Sequence, residues 1–176
     1  MMALHAGLLH ACGSSETVRA SGQVAAVSWN SVVDVAAQSE LIDKLLLWVQ
    51  ENTNYDVSAI RQSPPHINFC NVGERIEYEG ERIIVDPDLN AAYDSQLRRI
   101  NIVGPWDLHN TMDQSILLHE LIHDVQSVNR TWYCLQEPEW EAYKLQDAWL
   151  AQQGTVSGFD WLYIYFLSRC PRDHHP

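Results

Sequence analysis

Basic residues are scarce in this chain. Eleven Lys and Arg stand against twenty-three Asp and Glu, a formal charge of −12 over 176 residues. The longest basic run is Arg98-Arg99. Nothing here can neutralise a row of phosphates, so nucleic acid is excluded as a partner. Long apolar runs are also missing, so no membrane span is expected. Only four cysteines occur, none of them paired at zinc-knuckle spacing. Cys134 and Cys170 flank the last two expected helices, and two readings stand: a disulfide closing that loop, which suits an extracytoplasmic protein, or two buried thiols.

The length fits one compact domain, taken as residues 29–176. Residues 1–28 read as a leader or a disordered tail. The first twelve are apolar but interrupted by His5 and His10, and no basic residue precedes Arg19. Leu9-His10-Ala11-Cys12 resembles a lipoprotein cleavage site, with His a poor fit.

What is present is strong periodicity. Residues 31–52 carry Leu41, Ile42, Leu45, Leu46, Trp48 and Val49 at helical spacing. Pro64-Pro65 then opens a strand at residues 66–70. Residues 75–85 read as a hairpin, with Arg75-Ile76-Glu77-Tyr78 and Arg82-Ile83-Ile84-Val85 on either side of Glu79-Gly80-Glu81. A strand at residues 98–103 is stopped by Gly104-Pro105. A helix capped by Thr111 or Asp113 runs to about residue 129. Two more follow, one from about Glu137 to before Gly154 and one over residues 158–168. Helix, strands, then helices gives an α+β class, with a small mixed sheet packed on the central helix.

That helix contains His119-Glu120-Leu121-Ile122-His123. Two histidines four apart project from one face, one turn apart, so both imidazoles can reach one ion. Glu120 then points at the open coordination position, where a carboxylate can exchange a proton with water. Leu118, Leu121, Ile122 and Val125 form an apolar stripe, and His119, His123 and Gln126 a polar one beside it. A hydrolytic zinc needs a third protein ligand. No third His follows at the metzincin spacing, so a carboxylate is expected from the next helix. Glu139 shares a face with Ala142, Tyr143, Gln146 and Leu150, and is the first choice. Glu141 is the second, since an ion pair with Lys144 also explains it; capping explains Glu137.

These residues resemble the glutamate-zincins (gluzincins), in which HExxH lies on one helix and a Glu on the next. Glu139-Trp140-Glu141-Ala142-Tyr143 looks like the Glu-x-x-Ala-Asp of HtpX-type peptidases, with Tyr143 in place of the acid that orients a histidine; Gln146 and Asp124 are alternatives for that task. The wider segment resembles a group of uncharacterised bacterial zincin-like proteins over about residues 41–170, most closely over 115–150.

The resemblance implies a zinc metallopeptidase with a peptide or protein substrate. Zn²⁺ would be held by His119, His123 and Glu139, and Glu120 would be the general base. Tyr143 is the first candidate to stabilise the oxyanion, with Tyr93, Tyr133 and His109 as others. The strand at 98–103 is expected to border the cleft, and a plain sheet strand is an equally compatible reading. Two alternatives remain: an inactive zincin-like protein with a structural zinc, and a metal-free helical scaffold for another protein. Other features read as ordinary. His174-His175 is a solvated terminus, Asp86-Pro87-Asp88 a turn, and Trp140, Trp149 and Trp161 are core or cleft wall.

Overall fold

The computed structural model describes residues 35–171. The expected leader and His174-His175 lie outside the described residues. Helix α1 spans Val35–Asn52, and Leu41, Ile42, Leu45, Leu46 and Val49 form its buried stripe. Each such side chain contributes about 1.5–3 kcal/mol by leaving water. A short helix, α2 (Ser58–Gln62), follows and was not foreseen; only Ile60 of it is buried.

Five strands come next: β1 (His66–Cys70), β2 (Arg75–Tyr78), β3 (Glu81–Ile84), β4 (Ala91–Asp94) and β5 (Arg99–Val103). The expected hairpin is β2–β3, closed by Glu79 and Gly80. Both turn residues have positive φ (49° and 78°), as the tight turn matching strand twist requires. Asp86 accepts from the N–H of Asp88, so that segment is the expected turn.

The main sheet has the order β1-β5-β4, with β1 parallel and β4 antiparallel to β5. Strand β5 is therefore central rather than a cleft border, a correction to the sequence reading. The unforeseen β4 takes the outer position. Ile100 and Ile102 face the helices. Val103, on the opposite face, joins Cys70, Ile76, Ile83 and Val85 in a second cluster under the hairpin.

Helix α3 (Thr111–Asn129) packs on β4 and β5 and against α1 and α4. Its cap is Asn110, whose side chain accepts from the N–H groups of Met112 and Asp113, and neither Thr111 nor Asp113 fills that role. Asp113 instead accepts from the N–H of Asp107. Helix α4 (Glu139–Gln152) starts two residues later than expected, because residues 135–138 form turns. Glu137 accepts from the Tyr133 N–H within that loop, at 2.7 Å. Gly154 (φ 73°) ends α4, with Thr155 N–H returning to the Leu150 carbonyl.

Helix α5 (Trp161–Leu167) lies on α4, with Ile164 buried. Trp149 is core, whereas Trp140 and Trp161 stack edge to face on the outside, at 5.7 Å between centroids. Cys134 and Cys170 are joined in a disulfide that ties the α3–α4 loop to the end of α5. Among the described residues, no helix is long and apolar enough to cross a membrane. The class is α+β, as the order of periodicities implied.

Candidate metal centre

The apolar stripe of α3 is fully buried, which fixes the rotation of the helix. The next stripe, carrying His119, Glu120 and His123, therefore faces a cleft of about 850 Å³. Helix α4 crosses beside it and brings Glu139 to the same wall. His119 Nε2 and His123 Nε2 lie 3.0 Å apart. The Glu139 carboxylate oxygens lie 3.3 Å from the first and 3.4 Å from the second. Among the described residues these three form a group able to hold a metal, with donor atoms all within 4.8 Å of one another.

The outer hydrogen bonds decide which nitrogens are available. Ser115 Oγ donates to the Met112 carbonyl at 2.7 Å, so toward Gln146 it can only accept. The Gln146 amide must turn its NH₂ to Ser115 (3.0 Å) and its oxygen to His119 Nδ1 (3.0 Å). Gln126 Nε2 likewise meets two pure acceptors, the Pro138 carbonyl (3.2 Å) and the Glu141 carboxylate (3.0 Å). Its oxygen therefore faces His123 Nδ1, also at 3.0 Å. Both Nδ1 atoms therefore carry hydrogen, and in a neutral ring each Nε2 presents its lone pair.

With both rings neutral, two lone pairs this close repel, and a cation against both removes the repulsion. A tetrahedral zinc at about 2.0–2.1 Å from each donor would hold its donors ~3.3 Å apart. The observed 3.0–3.4 Å fits that requirement. Two imidazoles with one carboxylate are a donor set suited to a transition-metal ion such as zinc or iron rather than to magnesium or calcium.

Charge is concentrated here. Burial would raise the Glu139 pKa, yet its bonds to His119 and His123 win and hold it below the usual carboxylate range. Burial would lower that of His123, but Glu139 lifts it to about 8. Glu120 is raised, chiefly by burial, against the pull of His119 and His123.

The backbone N–H of Tyr93 on β4 also opposes that rise. The Val103 N–H to Asn90 carbonyl bond (2.9 Å) sets the alternation along β4–β5. Asn90, Ala92 and Asp94 thus spend their backbone groups on β5, while those of Ala91 and Tyr93 point off the outer edge toward the cleft.

His119, Glu120, His123, Glu139 and Tyr143 all line the cleft. Glu141 is not in the ligand group; it holds Gln126 and accepts from Tyr55 OH at 2.5 Å. Asp124 orients neither histidine. It is fully buried and bound to Arg98 (2.8 and 2.9 Å) and Tyr93 OH (2.6 Å). That bond occupies the Tyr93 hydroxyl and removes it from the oxyanion candidates.

His109 is exposed and lies away from the cleft lining. Tyr133 sits at the rim, 73% exposed. Tyr143 packs its ring on His119, with centroids 4.5 Å apart, and burial raises its hydroxyl pKa to about 12. Tyr78, at the end of β2, was missed. It lines the same cleft, and burial followed by the charge of Glu120 pushes its pKa up. Its strand alternation offered no signal, because the β2–β3 hairpin reaches the cleft only through the tertiary fold.

A smaller cavity of about 440 Å³ also adjoins His119 and Glu120, walled by Met112, Ile116, Phe159 and Tyr163. Comparison with curated proteins and with solved structures found no match. Residues 34–176 match a family described as Domain of unknown function (DUF6647), and the chain belongs to that family.

Proposed function

We propose that the protein is a zinc-dependent hydrolase of the gluzincin type, acting on peptide bonds. The observation that carries this reading is the convergence of His119, His123 and Glu139 on the floor of an open cleft, with both Nδ1 atoms hydrogen-bonded away from it. When bound, zinc polarises a carbonyl oxygen and makes water acidic enough to lose a proton near neutral pH.

Glu120 then acts as general base and later returns the proton to the leaving amine. Its raised pKa, set mainly by burial, brings it closer to the pH at which it must work. Tyr143 and Tyr78 border the site and can donate to a developing oxyanion. The outward N–H and carbonyl of Ala91 and the carbonyl of Tyr93 suit an extended peptide laid along β4. The Cys134–Cys170 disulfide suits an extracytoplasmic location.

The test is metal analysis of untagged protein together with cleavage of a mixed peptide library, with and without chelator. Stoichiometric zinc and chelator-sensitive cleavage are expected. Zinc without cleavage leaves an inactive, zinc-holding protein, and absence of any metal leaves the helical scaffold.

A further inference from the structure

Gln126 and Gln146 do for the two histidines what an acid does in the motif this chain resembles, but an amide has a choice that a carboxylate lacks. It can offer oxygen or NH₂, and only the first leaves Nε2 bare. For Gln146 the choice is made by Ser115, buried on α3 itself. For Gln126 it is made elsewhere. The Pro138 carbonyl is shared with the Ala142 N–H and sits 3.2 Å away, which makes it the weaker partner. The Glu141 carboxylate is nearer and charged. It is held in turn by the hydroxyl of Tyr55, from the segment between α1 and α2, 86 residues away in sequence.

We propose that Glu141 and Tyr55 are positioning residues for the metal centre, acting through Gln126 to keep His123 in the form that binds metal at Nε2. Donation then runs in one order: His123 Nδ1–H to Gln126, Gln126 NH₂ to Glu141, Tyr55 OH to Glu141. Without the carboxylate, Gln126 is free to turn its NH₂ toward Nδ1, which moves the imidazole hydrogen to Nε2 and blocks the ligand atom. Tyr55 links the centre to α1, so the fold of the first helix bears on the metal. This inference rests on the reading that His119, His123 and Glu139 hold a divalent cation.

The experiment titrates full-length protein with Zn²⁺ against a competing indicator, and with Co²⁺ by visible absorption. Metal-free melting checks that each variant folds. Outer partners of metal-bound histidines are worth about 10–100-fold in affinity, and Glu141→Ala, which acts through such a partner, should lose about 10-fold. Tyr55→Phe keeps the carboxylate and should weaken binding by less. Gln126→Glu alone sets two carboxylates against each other and should also weaken it.

The exchanged pair Gln126→Glu with Glu141→Gln restores a donor and an acceptor at every link, and should recover most of the affinity that Gln126→Glu loses. A merely structural role for Glu141 does not produce that rescue. Wild-type affinity in Glu141→Ala overturns the proposal, as does an exchanged pair no tighter than Gln126→Glu. If Glu141→Ala does not fold, Tyr55→Phe and the exchanged pair decide, and wild-type affinity in Tyr55→Phe counts against it. Absence of metal binding by the wild-type protein overturns the metal-centre reading itself, and this inference with it.

Discussion

Helix α3 carries two polar clusters within one turn of each other, and they behave oppositely. Asp124 spends its carboxylate on Arg98 and Tyr93 and has no exposed surface. This cluster locks the helix to the β4–β5 hairpin, where Arg98 itself adopts φ 46°. A few ångströms along the helix, His119 and His123 spend Nδ1 on Gln146 and Gln126, and turn Nε2 toward each other and Glu139 at the cleft, which Glu120 also lines. Buried polar groups are costly unless paired. A cluster that pairs everything holds the fold, while one that leaves matched donor atoms facing open space is built for something else.

The contrast is sharpest at Glu120. Glu120→Gln should reduce peptide hydrolysis by about 10²–10⁴-fold while leaving zinc content and melting temperature unchanged. Retained turnover in a metal-loaded Glu120→Gln protein removes Glu120 from the role of base. Glu139→Ala should weaken zinc binding by more than the ~10–100-fold expected of outer partners. If Glu141→Ala loses more zinc than Glu139→Ala, the third ligand has been misassigned.

In the other cluster, Arg98→Met leaves the buried Asp124 carboxylate without its cation, and should cost ~3 kcal/mol in chemical unfolding. Zinc stoichiometry should survive at low denaturant. A stable Arg98→Met protein that has lost zinc would erase the distinction between the clusters. The Cys134–Cys170 disulfide closes a separation of 36 residues, and replacing both by Ser should cost about 2–4 kcal/mol. Since Cys134, Tyr133 and Leu135 line the cleft, that variant should also raise KM more than it lowers kcat. The smallest effect is expected at Tyr143→Phe, which keeps the ring against His119 and should leave zinc affinity as it was. A fall in kcat alone would assign the hydroxyl to the oxyanion.

Much of this was legible before folding. The stripe at Leu118, Leu121, Ile122 and Val125 set the face of α3, and the position of Glu139 beside Ala142 and Gln146 set that of α4. Periodicity resolves such choices because burial rewards one rotation of a helix. Strand β4 was not legible, since Ala91–Asp94 is four residues long, with no clear alternation and a buried Asp94. Strand order was not legible either: residues 99–103 read the same at the centre of a sheet as at its edge. The roles of Gln126, Glu141 and Tyr55 depend on which end of an amide faces which neighbour, and no spacing rule contains that.

The sequence by itself determined the α+β class, the helix bearing His119, Glu120 and His123, and the preference for Glu139, all consequences of local periodicity. Tertiary structure alone decided that β4 is the outer strand and that Tyr78 reaches the cleft. It also decided that Glu141 bonds to Gln126 while Glu139 joins His119 and His123 in the group able to hold a metal. Those outcomes turn on contacts between residues far apart in the chain, where the direction of a hydrogen bond is set by partners that sequence does not place side by side.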